Sequence, residues 1–246
     1  PIGYPELPSG SSSPNVSKNV ILGGFFGFVL SIGLVFALKF LNNTVDDEET
    51  LRNKFGIPVL GEIPVYTANE NKAGNIQRPF KSSENQEERT TILGIKNFQV
   101  IESYKQLRTN VMFAMSAKDV NVVEFSSSFP GEGKSITSAN MAIAMAQTGA
   151  KVLLIDCDLR KSVQHKVFKV SNKVGLSSIL GKMATLEDVV HKNVAENLDL
   201  ITGGPVPPNP SELIASKHME EFIGKVKEVY DYVIIDTPPI NIVSDA

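Results

Sequence analysis

The chain has 246 residues, of which 42% are hydrophobic and 21% charged, with a formal net charge of −3, a length that suits one or two domains. That balance lacks the basic excess that nucleic-acid binding uses, so no nucleic-acid partner is expected. The single Cys157 excludes an internal disulfide framework, and His165, His191 and His218 have no metal-ligand spacing.

The first residues, "PIGYPELPSGSSSPN", are rich in Pro, Ser and Gly and predict an extended or loose segment over 1–18. They begin in mid-phrase without an initiator Met, so the sequence reads as an excerpt of a longer protein. From Val20 to Leu38, "VILGGFFGFVLSIGLVFAL" carries no charge and only Ser31 as a polar side chain. That is enough to cross about 30 Å of hydrocarbon, which predicts one transmembrane helix within 19–41. A buried core helix would show a polar face, and a signal peptide would have a shorter apolar stretch and a cleavage site. Lys18 stands alone on the first side, with Lys39, Arg52 and Lys54 on the second, so the larger C-terminal part is expected in the cytoplasm.

A juxtamembrane segment, 42–66, follows. In "TVDDEETLRNKF" the acids Asp46, Asp47, Glu48 and Glu49 suit a helix N-terminus, Gly56 stops that helix, and "IPVLGEIPVY" predicts a short extended piece. Residues 67–97 are polar with few large apolar side chains, and they predict a flexible linker.

From 98 onward strands and helices alternate. The pattern predicts a helix over 98–116, a strand at 121–127, a helix at 134–148 and a strand at 151–156. Short helical pieces near 176–180 and 185–191, a strand at 198–202, a helix at 211–229 and a strand at 232–236 complete it. Such alternation implies an α/β fold with a mostly parallel sheet covered on both faces.

The first strand runs into "SSSFPGEGKSITSAN". A phosphate loop needs glycines so that backbone N–H groups converge on phosphate oxygens, a Lys for the β/γ-phosphates and a hydroxyl for Mg²⁺. Gly131, Gly133, Lys134 and Ser135 supply these between a predicted strand and a predicted helix, with Ser128 where the pattern's first Gly would stand. "VLLIDCDLR" ends a strand in Asp156 and Asp158, and "YVIIDTPP" ends another in Asp236. Ligands of such sheets bind at the carboxyl ends of the strands, so all three carboxylates are expected to face the loop. One can hold Mg²⁺ and another can accept a proton from an attacking hydroxyl.

The set "FPGEGKS", "VLLIDCDLR" and "YVIIDTPP" resembles the Walker A, A′ and B motifs of the bacterial tyrosine kinases of capsule and exopolysaccharide assembly. "YKQLRTNVMF", "GGPVPPNPSELI" and "GIPVLGEIP" match as well, and region 1–66 resembles the end of a polysaccharide co-polymerase. The resemblance implies a P-loop NTPase-type kinase domain over 98–246, C-terminally truncated because the family's last strands and tyrosine-rich tail do not follow Ala246. It implies ATP and Mg²⁺, bound by Pro130, Gly131, Glu132, Gly133, Lys134, Ser135, Ile136 and Asp236. Ser135, Asp156 and Asp236 would form the metal site, and Lys134, Asp156, Asp158 and Arg160 would be catalytic, with Asp158 as base.

It further implies self-association into a ring through Glu102, Lys105 and Arg108, where Lys105 replaces an Arg of the family. A polysaccharide polymerase or export machinery, a cognate tyrosine phosphatase and the inner membrane would be the other partners. Ser162 stands where the family usually has Pro. The activity implied is protein-tyrosine autophosphorylation tuning polymer assembly, although the excerpt itself is expected to be inactive. Two other readings are a non-catalytic, nucleotide-switched co-polymerase regulator and a partitioning-type P-loop ATPase. The latter class carries an extra Lys at the start of its phosphate loop, where this chain reads "SSSFP".

Overall fold

The computed structural model describes residues 15–41, 51–53, 56–65, 91–95 and 97–241. The first fourteen residues, the acidic run 46–49 and most of the predicted linker lie outside the described residues. The chain divides into two compact units, 1–59 and 60–246.

In the first unit, helix α1 (Val16–Leu41) is 26 residues long and exposed along its whole length. At 1.5 Å per residue it extends about 39 Å, long and apolar enough to cross a membrane. Ser31 satisfies its own hydroxyl inside the helix, donating to the Phe28 carbonyl at 2.9 Å. Residues 51–53 are helical, and Gly56 at φ 66° donates its N–H to the Arg52 carbonyl at 3.0 Å. That is the left-handed helix stop for which glycine is suited.

The second unit is built on a five-stranded sheet of β1 (Val122–Phe125), β2 (Val152–Asp156), β3 (Val190–Ala195), β4 (Leu198–Ile201) and β5 (Tyr232–Asp236). Its order is β1-β5-β2-β4-β3, with every pairing parallel except β3 with β4. Its longer helices are α2 (Phe98–Ala117), α3 (Lys134–Ala146) and α8 (Lys217–Val229). The short ones are α4 (Gln164–Val167), α5 (Leu176–Leu180), α6 (Leu186–Val189) and α7 (Pro210–Ile214).

Side chains alternate across the sheet, as the two-residue strand period requires. Val152 and Leu154 of β2, with Ile234 of β5, meet Val100, Tyr104, Leu107 and Val111 of α2 and the apolar face of α3. Leu153, Ile155 and Val233 meet Leu176 of α5 and Met219, Phe222 and Val226 of α8. Every residue of β2 is buried, which is why its sequence is an apolar run rather than an alternation.

Three predicted elements differ in detail. The helix predicted over 211–229 is two helices, because Ser216 caps α8 by accepting from Met219 N–H and donates its hydroxyl to the Leu213 carbonyl at 2.6 Å. The helical piece predicted at 185–191 ends at Val189, and the chain continues as β3, an edge strand with a bulge between His191 and Ala195. The turn into β4 uses Asn197 at φ 60°, and Asn193 at φ 51° donates its N–H to Asp199 Oδ1 at 2.8 Å. Residues 91–95, predicted as linker, include the buried Ile92, whose N–H donates to Asn140 Oδ1 of α3 at 2.8 Å.

Candidate functional site

The loop joining β1 to α3 is shaped by two glycines and one glutamate. Gly131 and Gly133 have φ of 87° and 89°, and no heavy atom lies within 4 Å of where a Cβ would sit. Backbone conformation, not space, therefore demands glycine there. Glu132 turns back over the loop, its Oε2 accepting from the N–H groups of Ser128 at 2.9 Å and Phe129 at 3.1 Å. Gly133 caps α3 with no side-chain acceptor. The first N–H groups of a 13-residue helix thus remain for an outside acceptor, a setting that favours anions.

Lys134 opens α3 and is nearly buried. Its Nζ lies 3.1 Å from Asp236 Oδ1, 3.5 Å from Asp158 Oδ2 and 3.2 Å from Ser135 Oγ. Asp158 Oδ1 accepts from Lys161 N–H at 2.9 Å, which leaves Oδ2 toward the lysine.

Asp156 and Asp236 are register partners on adjacent parallel strands. The alternation that sends Leu154 and Ile234 to the α3 side sends both carboxylates there too, and both are fully buried. Adjacent strands run about 5 Å apart, so two charges would face each other across a dry gap. Burial first, and repulsion from Asp236 second, push the Asp156 carboxyl up to about 7, while hydrogen bonds from Gln164, Ser162 and Val163 pull it down.

The expectation that all three carboxylates face the loop holds for Asp158 and Asp236, which share Lys134. Asp156 is instead wrapped by the turn that follows β2. Its Oδ1 accepts from Asp158 N–H at 3.2 Å, and its Oδ2 accepts from Ser162 Oγ at 2.7 Å and from the N–H groups of Val163 and Gln164 at 3.0 Å each. The thiol of the neighbouring Cys157 is buried and pushed up, mainly by burial and then by Asp156.

A cavity of about 400 Å³ opens over the loop. Pro130, Gly131, Gly133, Lys134, Ser135, Ile136, Asp158 and Arg160 line it. Arg160 Nη2 also donates to Ser211 Oγ at 2.7 Å, joining the turn after β2 to α7. Sequence reasoning missed four further lining residues, Lys161, Val163, Pro238 and Pro239, and the buried Gln164 beneath them. Their place directly after two strand ends is the signal that could have found them.

Glu102, Lys105 and Arg108 lie on α2, away from this cavity. Lys105 donates to Glu102 Oε1 at 2.7 Å with both side chains nearly half exposed, and Arg108 Nη1 donates to the Ala144 carbonyl of α3 at 2.9 Å.

An AAA domain family matches residues 120–244, which contain this site. The kinase domain of the Escherichia coli tyrosine kinase ETK is 34% identical and superposes with a TM-score of 0.70, over 82% of this chain and 76% of that domain. The chain belongs to the bacterial tyrosine kinases. Tyrosine-protein kinase YwqD of Bacillus subtilis is 48% identical over 145 residues, 59% of this chain and 61% of the relative. A putative tyrosine-protein kinase in the cps region of Klebsiella pneumoniae is 35% identical over 229 residues, 92% of this chain but 31% of the relative. The chain thus spans less than two thirds of either protein. The P-loop fold shared with these kinases implies nucleotide binding.

Proposed function

We propose that this chain is the nucleotide-binding part of a membrane-anchored protein-tyrosine kinase that transfers the γ-phosphoryl of MgATP to tyrosine hydroxyls. The observation that supports it best is Lys134, held between Asp158 and Asp236 at the foot of a glycine-shaped loop. A lysine parked on two carboxylates is placed to exchange them for phosphate oxygens. The open N-terminus of α3 and the cavity above it fit the phosphates of ATP.

The donor set also fits Mg²⁺. Among the described residues, no group of three or more His, Cys, Asp and Glu side chains is gathered to hold a metal alone. Mg²⁺ does not require one, since it keeps several waters and takes one or two protein oxygens beside substrate phosphates. Ser135 and Asp236 would hold it directly, with Asp156 behind them. When bound, Mg²⁺ supplies positive charge to the phosphate oxygens during transfer.

Lys134 then binds the β/γ-phosphates, and Asp158, on the cavity wall and 7% exposed, accepts the tyrosine proton. The new bond joins the tyrosine oxygen to the γ-phosphorus, while the bond from that phosphorus to the bridging oxygen of ADP breaks. Arg160, at the cavity rim, orients phosphate. Tyr104 and Tyr230 are buried and Tyr232 is partly so, so the acceptors belong to other segments or to another molecule.

The wider setting is proposed on the same basis. The Klebsiella relative's name places it in a cps region, which supports a role in capsule or exopolysaccharide assembly beside a polymerase or export machinery and a tyrosine phosphatase. α1 would sit in the inner membrane with the kinase region in the cytoplasm. Copies would assemble through Glu102, Lys105 and Arg108. The test is Lys134→Met in the full-length protein, read by phosphotyrosine mapping with γ-labelled ATP. Loss of labelling on the order of 10²–10³-fold is expected on removing such a donor. A wild-type protein that hydrolyses ATP yet labels no tyrosine would instead leave a nucleotide-switched regulator.

A further inference from the structure

Gln164 is fully buried, and its amide joins three parts of the site. Nε2 donates to Asp236 Oδ2 at 2.8 Å, and lies 2.9 Å from the Ser135 carbonyl and 3.2 Å from Ser138 Oγ. The carboxylate and the carbonyl can only accept, so the amide must face them with its nitrogen. Turning it over would set oxygen against oxygen. That requirement puts Oε1 on the other side, where it is buried with no hydrogen-bond partner among the described residues. Buried polar atoms in native proteins are seldom left unpaired. Here the unpaired oxygen is the consequence of fixing the nitrogen.

The two oxygens of Asp236 therefore have separate partners, Lys134 on Oδ1 and Gln164 on Oδ2. A phosphate that draws Lys134 away releases Oδ1 alone, because the amide still holds Oδ2. The same amide grips the first turn of α3 through the Ser135 carbonyl, so one side chain sets the spacing between the Asp236 carboxylate and the Ser135 hydroxyl. We propose that Gln164 is a positioning residue that anchors Asp236 by one oxygen and so presents the other, beside Ser135, to a divalent cation arriving with nucleotide. This rests on the nucleotide-site reading above and adds the residue that builds its cation half.

The test uses the full chain in detergent micelles and a fluorescent ADP analogue, titrated with Mg²⁺ and with EDTA. In the wild type, Mg²⁺ should tighten binding. Gln164→Leu should bind like the wild type in EDTA but lose about tenfold or more of the gain from Mg²⁺, the usual cost of removing a partner behind a metal ligand. Gln164→Met guards against simple misfolding. It keeps the length and most of the volume of the buried side chain but has no N–H to give Asp236. It should melt like the wild type, bind the analogue in EDTA and still lose the Mg²⁺ gain, as Gln164→Leu does.

Equal losses in both arms, with a lower melting temperature, would make Gln164 a packing residue and overturn the proposal. A Mg²⁺ gain in Gln164→Leu equal to that of the wild type would overturn it alone. A wild type that binds the analogue in neither arm would overturn the nucleotide reading and this proposal together.

Discussion

Asp156→Asn probes the buried carboxylate pair. In the folded chain the Asp156 carboxyl is raised from 3.8 to about 7, by burial and by Asp236 in register beside it. A raised carboxyl binds its proton more tightly folded than unfolded. Its contribution to stability is therefore complete below the unfolded value and is lost as pH rises through the folded one. At 1.36 kcal/mol per unit the whole loss is roughly 4 kcal/mol, of which about 2–3 kcal/mol falls between about pH 5 and pH 8. Asparagine cannot ionise, so the variant should lack that slope. It has its own cost, because Oδ2 accepts from three donors and Oδ1 from the Asp158 N–H. An amide keeps one oxygen and sets its NH₂ against a donor, a penalty of about 1–3 kcal/mol that does not depend on pH. The variant should thus match or fall below the wild type near pH 5 and gain on it by roughly 2–3 kcal/mol near pH 8. The chain has no Trp, so urea unfolding in micelles is followed by circular dichroism. A difference between the two proteins that stays constant over this range refutes the argument.

Tyr230→Phe removes the hydrogen bond to Asp199 Oδ2, which is 2.8 Å long, and leaves the ring beneath Lys151, whose Nζ is 4.8 Å from its centroid. A loss of about 1–2 kcal/mol is expected, seen as a melting temperature lower by roughly 3–6 °C; an unchanged melt would show the bond to be idle. A reporter active only in the cytoplasm, fused after Asn97 of the full-length protein, should be active, because the basic residues lie mainly after α1. A fusion that is made but silent would reverse the proposed orientation.

Where one interaction dominated, the sequence was a sufficient guide. β2 is apolar from Val152 to Ile155 because both of its faces are covered, and the predicted bounds of β5 match the structure to the residue. Gly131, Gly133 and Gly56 carry the positive φ that their positions required. The features that escaped depend on several weak terms. Ser216 splits one helix into two through a local capping bond. β3 is a half-exposed edge strand, where alternation is blurred and polar residues are tolerated. Gln164 looks like any surface glutamine in "KSVQHK", and only the crossing of β2, β5 and α3 makes its surroundings dry.

The division between Asp156 and Asp158 has the same origin. Two residues apart, they would share a face if β2 continued, yet β2 ends at Asp156. Asp156 keeps the strand's geometry, points to the α3 side and is enclosed by the following turn. Asp158 has left the sheet, lies on the cavity wall and reaches Lys134 with one oxygen. In the proposed reaction a base must meet an incoming hydroxyl, which Asp158 can do and Asp156 cannot without unwrapping its turn. What Asp156 does from inside is hold residues 158–164 in place. It does so by gathering their N–H groups, the arrangement that sets Asp158 at the rim and Gln164 beneath it.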